Sequence, residues 1–503
     1  MDDAVGGEPK QAGAREPGDA PLVTGDAAGA GLSYHPAPTL EMRAPDVRRR
    51  GNTMRTLWLL AMLLASTAPQ AGNLPPTHEW TLDNGLTVIV REDHRAPVVT
   101  VMLWYRVGSI DEPAGMTGIS HMLEHMMFKN TTHLAPGDYT SLVSRFGGQT
   151  NAFTSYEYTG YYQQYEASRL PLALELEAER MANLEIDAEE FSREVQVVSE
   201  ERRQRTDDNP NALAWEKFSG ILRPGTGYAH PIIGWRREIE QYHPDQAVAW
   251  YQQWYAPGNA VLVIAGDVTR EQVSPLVEQF FAPIPAGTVP FRPAPRLADP
   301  AGSRHLDLVL PVQVPALYMG WNVPSLATAS DKHTFYVLSM LAGVLDGGSS
   351  ARIETNLVRG QRLAAGAGAG YSGLSRGDGV FTVTATPVPG VSLASLQHAI
   401  EAEIARLAEH PPAPAELDRV RAQVLSGHVF GQDSVFGQAM ELGYLAMIGE
   451  DWRLSAEMAD ALARVTPEEV SAAAREWLVP ARRAVAHVMP EVASPADEEG
   501  THE

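Results

Sequence analysis

The sequence contains no cysteine among its 503 residues. Disulfide bonds, thiolate metal sites, a cysteine nucleophile and a lipid-modified cysteine anchor are therefore excluded. Basic residues are also scarce, because 39 Lys and Arg stand against 62 Asp and Glu, for a formal net charge of −23. Nucleic acid and anionic membrane surfaces are therefore poor candidate partners. Any metal ion must be held by histidine and carboxylate side chains.

The apolar run near the N-terminus is short. Leu57–Ala65 spans nine residues, follows Arg55 and precedes small residues. Such a run is too short to cross a membrane and is typical of a signal peptide, predicted here over residues 54–71. An uncleaved anchor or a chance apolar run is the alternative. We expect an exported mature protein, periplasmic or secreted, with no stable membrane insertion.

Residues 1–53 are rich in Gly, Ala, Pro and Asp and have no apolar period. They predict a leader that does not pack, or that precedes the true start. Beyond the signal peptide, Asp83-Asn84-Gly85 between two apolar-rich runs predicts a β-hairpin. The remaining divisions are a first domain over 74–282, a proline-rich linker over 283–304, a second domain over 305–490 in which we expect no metal site, and an acidic tail over 491–503.

An internal repeat relates the two domains. The segment 249–266 parallels the segment 472–489, since each reads as a helix ending at Trp, then Pro, then a buried strand. Trp254 and Trp477 lie 223 residues apart, as do Pro257 and Pro480. We therefore expect an α+β fold of two homologous domains, each a mostly antiparallel sheet packed with helices.

The stretch "TGISHMLEHMMFKNTTH" holds His121, Glu124 and His125 in the order H-x-x-E-H. Successive helical residues are about 100° apart, so the two histidines are neighbours on one face and Glu124 lies on the same side. Two imidazoles one turn apart can occupy two tetrahedral positions on a zinc ion, which would place Glu124 beside a zinc-bound water molecule. Two histidines on an amphipathic helix are more often packing residues than metal ligands. Whether this helix forms a metal site therefore depends on the presence of a third ligand.

A second helix, predicted over 187–205, supplies the candidate third ligand. Taking Phe191 as the centre of its apolar face, Glu194 and Glu201 fall about 60° and about 80° away on the same side. Glu200 points away. Glu194 and Glu201 are about 10.5 Å apart along the axis, so one is expected to be a ligand and the other a supporting group. A solvated helix with boundary carboxylates is the alternative.

Three motifs in order resemble the pitrilysin family of zinc peptidases: "HMLEHMMFKNT", "FGGQTNAFTSYEYTGYY" and "EVQVVSEERRQRTDDNP". The resemblance covers about residues 76–490. It implies one Zn²⁺ per chain held by His121, His125 and Glu201, which lies 76 residues after His125. It also implies that Glu124 is the catalytic acid–base and that Glu194 supports the site.

The resemblance further implies that a strand edge accepts substrate as an added β-strand, with Asn151, Ala152 and Phe153 as contact candidates. An ordinary edge strand with a packed Phe is the alternative. The family completes its site with an Arg and a Tyr from a C-terminal half. Here Arg359 is present, but Ala365 stands at the Tyr position, and Tyr371 is out of register.

The predicted function is therefore a zinc-dependent endopeptidase that hydrolyses peptides or unfolded protein segments in an enclosed chamber. The missing Tyr predicts that this chain is the zinc subunit of a heterodimer with a homologous Arg/Tyr subunit, and a homodimer is the alternative. Two rival functions remain: a catalytically silent structural subunit, and a binding module for extended peptides. No nucleic acid partner is expected.

Overall fold

The structure is a computed structural model that describes residues 75–293 and 302–491. The predicted leader, the signal peptide, the middle of the linker and nearly all of the acidic tail lie outside the described residues. Within the described ranges, no helix is both long and apolar enough to cross a membrane.

The first half of the described chain is built around a six-stranded sheet. Its strands are β1 (Thr77–Thr81), β2 (Thr87–Glu92), β3 (Val98–Tyr105), β4 (Gln149–Thr154), β5 (Thr159–Glu166) and β6 (Ala260–Gly266). Their order across the sheet is β1-β2-β6-β3-β5-β4, so β4 is an edge strand. The predicted hairpin joins β1 to β2, and Gly85 in its turn has a φ of +90°, which favours glycine.

Eight helices belong to this half. They are α1 (Ile119–Met126), α2 (Asp138–Arg145), α3 (Leu170–Asn183), α4 (Ala188–Arg202), α5 (Pro210–Leu222), α6 (Arg236–Ile239), α7 (Pro244–Trp254) and α8 (Arg270–Phe281). The main apolar core lies between these helices and one face of the sheet. Helix α1 is buried along its whole length and packs against α4, α7 and the edge strand β4. The edge of the sheet therefore lies beside the H-x-x-E-H helix.

The second half is built around a five-stranded sheet. Its strands are β7 (Arg304–Leu310), β8 (Ala316–Val323), β9 (Ala364–Ser372), β10 (Gly379–Pro387) and β11 (Arg483–Pro490), in the order β7-β11-β8-β10-β9. Its helices are α9 (His333–Leu345), α10 (Leu393–Glu409), α11 (Pro414–Gly431), α12 (Val435–Ile448), α13 (Leu454–Ala463) and α14 (Pro467–Trp477). The prediction of an α+β chain in two halves is confirmed.

Five strands of the first sheet, β2-β6-β3-β5-β4, have the same topology as the five strands of the second sheet. In each, the last strand runs parallel to one neighbour and antiparallel to the other: β6 between β2 and β3, and β11 between β7 and β8. Helix α7 ends at Trp254 and α14 ends at Trp477, and each is followed by a 3₁₀ turn that begins with proline. The sequence repeat thus corresponds to a repeat in structure.

One helix of each half packs against the sheet of the other half. Helix α5 of the first half packs Phe218 and Leu222 onto the second sheet. Helix α12 of the second half covers the outer face of the first sheet, where Gly443 lies against Trp104. A Cβ at residue 443 would meet the indole ring at 2.1 Å, so glycine is required for this approach. The reciprocal packing joins the two sheets through apolar contacts.

One segment differs from the sequence expectation, and one strand was not predicted from the sequence. The helix predicted over 187–205 is α-helical only to Arg202, after which a π-helical turn spans Arg203–Asp207. Strand β9 runs through the Ala- and Gly-rich stretch 364–372, whose small residues carry little of the apolar alternation that predicts a strand.

Candidate metal centre

Helix α1 is fixed at its N-terminus by backbone contacts. The carboxylate of Glu112 accepts hydrogen bonds from the backbone N–H groups of Gly118 (2.6 Å) and Ser120 (2.8 Å). These N–H groups have no partner inside the helix, so the carboxylate caps it. Gly118 has a φ of +91°, and a Cβ there would meet the carbonyl oxygen of Ile233 at 2.3 Å. The position of the helix therefore depends on this glycine.

Two histidines and a carboxylate converge between α1 and α4. The ring centroids of His121 and His125 are 4.7 Å apart. Glu201 Oε2 lies 3.4 Å from Nε2 of His125 and 3.8 Å from Nε2 of His121. Ligand atoms about 2.0–2.1 Å from a tetrahedral zinc ion lie roughly 3.3 Å from one another. The three side chains therefore nearly have the spacing of zinc ligands before any ion is considered.

A carboxylate behind His125 orients its ring. Glu194 Oε1 accepts from Nδ1 of His125 at 2.7 Å, and the other oxygen of Glu194 lies 2.5 Å from Nζ of Lys129. In the neutral form with its proton on Nδ1, His125 would carry a lone pair on Nε2, the atom that faces Glu201. This Nε2 atom is buried and makes no well-formed hydrogen bond within the described part of the chain. An imidazole held in this way is suited to a metal ion.

Charges around the cluster separate the protonation states of its members. Burial lowers the pKa of His121 to about 3, so this imidazole is neutral. Burial also lowers the pKa of His125, but the carboxylates of Glu194 and Glu201 outweigh it and raise the value to about 9, so the ring holds a proton on each nitrogen at neutral pH until a bound cation displaces the one on Nε2. Burial raises the pKa of Glu201, yet His125, His121 and Arg205 lower it to about 2. Glu201 is therefore an ionised carboxylate, as a metal ligand must be.

Glu124 lies beside the cluster without joining it. Its side chain is buried, and Thr154 Oγ1 donates to its Oε2 at 2.5 Å. Burial raises the pKa of Glu124 to about 7, against the opposing effects of His125 and Thr154. A carboxyl group that changes protonation state near neutral pH can both accept and donate a proton.

The predicted substrate strand is β4, the edge strand. Asn151, Ala152 and Phe153 pair with β5 on one side, which leaves the other side of β4 outside the sheet. Phe153 turns away from α1 and packs edge-on against Trp104, with ring centroids 4.9 Å apart. Its side chain has the packing role that sequence analysis left open, and a contact with substrate through its backbone stays a prediction.

The second half holds the residues that sequence analysis compared with the Arg and the Tyr of the family pattern. Ala365 occupies a bulge in β9, between the pairs formed by Ala364 and Gly366 with β10. Tyr371 donates its hydroxyl to the carbonyl of Pro324 at 2.5 Å and packs against the second half. Arg359 pairs with Glu354 at 3.4 Å. The nearest tyrosine in sequence is thus engaged in packing its own half.

Three neighbours of the cluster were not found from the sequence. Lys129 contacts Glu194, and Thr154 contacts Glu124. A guanidinium nitrogen of Arg205 lies 2.7 Å from a carboxylate oxygen of Glu201. The i,i+4 spacing of Glu201 and Arg205 was an available signal. Lys129 also lies four residues after His125, although α1 ends at Met126. Nothing in the local pattern marks Thr154, since strand pairing places it there.

Comparison with protein families gives two matches that together span most of the described chain. Residues 87–234 match the family described as Insulinase (Peptidase family M16). Residues 243–424 match the family described as Peptidase M16 inactive domain. The first match contains the two-histidine helix and Glu201, and the second contains Arg359 and Ala365.

Individual relatives extend this comparison. The chain is 33% identical over 378 residues to the zinc protease PqqE of Helicobacter pylori, covering 73% of this chain and 83% of the relative. A crystal structure of a protease from Helicobacter pylori is similar with a TM-score of 0.77 and 28% identity, over 83% of this chain and all of that chain. The periplasmic protease PqqL of Escherichia coli has a TM-score of 0.70 at 16% identity, over 86% of this chain but 49% of that chain.

Proposed function

Because the chain belongs to peptidase family M16, we propose that it is a zinc-dependent endopeptidase with one Zn²⁺ held by His121, His125 and Glu201. The observation that carries this proposal is the position of Glu201 Oε2, within 3.8 Å of both imidazole Nε2 atoms in a buried site. The donor set of two imidazoles and one carboxylate is that of catalytic zinc sites, which keep a fourth position open.

The chemistry divides between the metal and Glu124. A bound zinc ion supplies a Lewis acid that polarises a peptide carbonyl and acidifies water. Glu124 takes the proton of the attacking water and delivers it to the leaving amine. The hydroxyl of Thr154 holds one carboxylate oxygen of Glu124, which leaves the other for the proton. Glu194 and Lys129 take no part in proton transfer. Glu194 holds the ring of His125 in position, and Lys129 pairs with Glu194.

The edge strand β4 suits an extended peptide. A substrate added to its outer side would form backbone hydrogen bonds that do not depend on sequence. Thr154 belongs to β4 and contacts Glu124, so a peptide paired with Asn151–Phe153 would pass next to the acid–base group. This geometry supports peptides and unfolded segments as the substrate class, within a chamber closed by a second unit.

We further propose that a homologous subunit closes this chamber. Ala365 lacks a hydroxyl and Tyr371 donates its hydroxyl to Pro324, so neither of these two residues supplies the Tyr of the family pattern. The fold of this chain matches about half of the Escherichia coli protease PqqL, in which a single chain is long enough for two such units. A heterodimer with an Arg/Tyr subunit is the preferred assembly, and a homodimer is the alternative.

The same substitution favours one rival function, a catalytically silent assembly subunit. Such a subunit has no need of Glu124 together with a complete ligand set, and the buried, oriented Glu124 supports the peptidase.

The apolar run 57–65 supports export to the periplasm or secretion, so the mature enzyme is proposed to lack residues 1–71.

The proposal is tested by cleavage of an unfolded protein and of quenched peptides by the chain from residue 72 onward. The chain is assayed alone and with a copurifying homologous subunit. Activity that a chelator removes and Zn²⁺ restores is expected. Activity that appears only with the homologue assigns the missing Tyr to the partner. Zinc binding without cleavage under either condition would support the silent subunit.

A further inference from the structure

A second group of histidine and carboxylate side chains, residue types that can bind a metal ion, lies in the half of the chain for which the sequence predicts no metal site. His305 and Asp307 belong to β7, and His487 belongs to the neighbouring parallel strand β11, where it pairs with Asp307 in the register. Residues two apart on a strand share a face, so all three side chains stand on the same side of the sheet. Their ligand atoms all lie within 4.8 Å of one another.

The distances within this group are close to those of the first site. Asp307 Oδ1 lies 2.9 Å from Nε2 of His305 and 3.7 Å from Nδ1 of His487. The ring centroids of the two histidines are 4.7 Å apart, as they are for His121 and His125. The two short contacts bracket the roughly 3.3 Å separation of tetrahedral zinc ligands. Small rotations of exposed side chains would close the difference.

A chain of hydrogen bonds orients His487. Arg483 pairs with Glu401, and Glu401 accepts from the amide nitrogen of Gln397 at 2.7 Å. The amide oxygen of Gln397 therefore faces His487, whose Nε2 lies 2.8 Å away and must donate the proton. The Nδ1 atom of His487 then carries a lone pair, and it is this atom that faces Asp307. An oriented imidazole with a defined tautomer is a feature of metal ligands.

We propose that His305, Asp307 and His487 bind a divalent transition metal ion, such as Zn²⁺, at a second site. Two imidazole nitrogens and a carboxylate favour such ions over Mg²⁺ or Ca²⁺. The site lies at the sheet edge formed by β7, where His305 and Asp307 are half-exposed, so water completes the coordination. The ion would join the strand that follows the linker to the last strand of the described chain.

An ordinary interpretation is an exposed His305–Asp307 ion pair beside a packed histidine. In that case His487 would gain nothing from the tautomer that Gln397 imposes, and added metal would bind no more tightly here than to other surface histidines. The two interpretations therefore differ in zinc stoichiometry and in the effect of Gln397. Neither depends on the proposed peptidase activity.

The test is equilibrium dialysis of the untagged chain against buffered free Zn²⁺, with bound zinc measured by atomic absorption. The variants are H305Q/H487Q, Q397L and the control H410Q, which alters an exposed histidine in the same half. The ligands of the first site are intact in every variant, so differences report the second site alone. Thermal unfolding with and without Zn²⁺ checks that each variant folds.

Wild type and H410Q are expected to bind one more equivalent of zinc than H305Q/H487Q. Loss of the orienting contact in Q397L is expected to weaken this equivalent by about 10- to 100-fold. Zinc should also raise the unfolding temperature of wild type more than that of the double variant. Equal stoichiometry in wild type and H305Q/H487Q over the whole range would overturn the proposal, as would unchanged affinity in Q397L.

Discussion

Replacing Glu194 with Gln tests whether the ring of His125 is held for metal binding. The variant keeps the size of the side chain but removes the charge that accepts from Nδ1 at 2.7 Å and pairs with Lys129. Loss of such a supporting carboxylate weakens metal binding by about 10- to 100-fold. This corresponds to about 1.4–2.8 kcal/mol, since each tenfold change is about 1.4 kcal/mol. At saturating zinc the loss of activity is expected to be much smaller.

The assay is competition for Zn²⁺ against a chromophoric chelator of known affinity, followed by kcat at saturating zinc. Glu200→Gln is the matched control, because Glu200 lies on the same helix but is half-exposed and pairs with Arg203 instead of the cluster. Its zinc affinity is expected to equal that of wild type. Wild-type affinity in Glu194→Gln would refute the orienting role, and equal weakening in both variants would show a general effect on the helix.

Three further predictions concern the base, its partner and the junction of the halves. Thr154→Val removes the hydroxyl that holds Glu124, so kcat should fall about tenfold while zinc content in atomic absorption stays at wild type; a normal kcat would contradict the contact. Burial raises the pKa of Glu124 to about 7, and the base acts when it is ionised, so kcat/KM should fall as the pH decreases. The midpoint is expected at or below about 7, because a bound cation lowers this pKa; a kcat/KM that rises towards acidic pH would exclude Glu124 as the base. Glu157 of the first half is buried and accepts hydrogen bonds from the backbone N–H groups of Arg376 and Gly377 in the second half. Glu157→Gln should therefore lower the free energy of unfolding by about 2–3 kcal/mol in urea titrations. An unchanged free energy of unfolding would show that this contact does not stabilise the junction of the halves.

The local pattern of the sequence was sufficient for the elements that form the site. The i,i+4 spacing of His121 and His125 places both on one face of a helix, as found. The apolar stripe of α4 turns Glu194 and Glu201 inward and leaves Glu200 exposed, also as expected. The separation of two turns required different roles for the two carboxylates. The structure shows how they meet one ring: Glu194 contacts Nδ1 of His125, and Glu201 faces Nε2.

Contacts between distant segments could not be read in this way. Thr154 reaches Glu124 because β4 packs beside α1, and no local period encodes that neighbour. His305 and His487 lie 182 residues apart and meet only because β7 and β11 are parallel neighbours. Strand β9 is built of small residues whose pairing with β10, not their own propensity, makes a strand. In each case tertiary packing supplies the information.

The central claim is that His121, His125 and Glu201 hold zinc and that Glu124 carries out proton transfer. The most direct test measures zinc content and kcat on the same preparations of wild type and Glu124→Gln, with the homologous subunit present. Equal zinc in both proteins at the first site, with kcat reduced by about 10²- to 10⁴-fold in Glu124→Gln, is the expected result. Cleavage by Glu124→Gln at the wild-type rate would contradict the account.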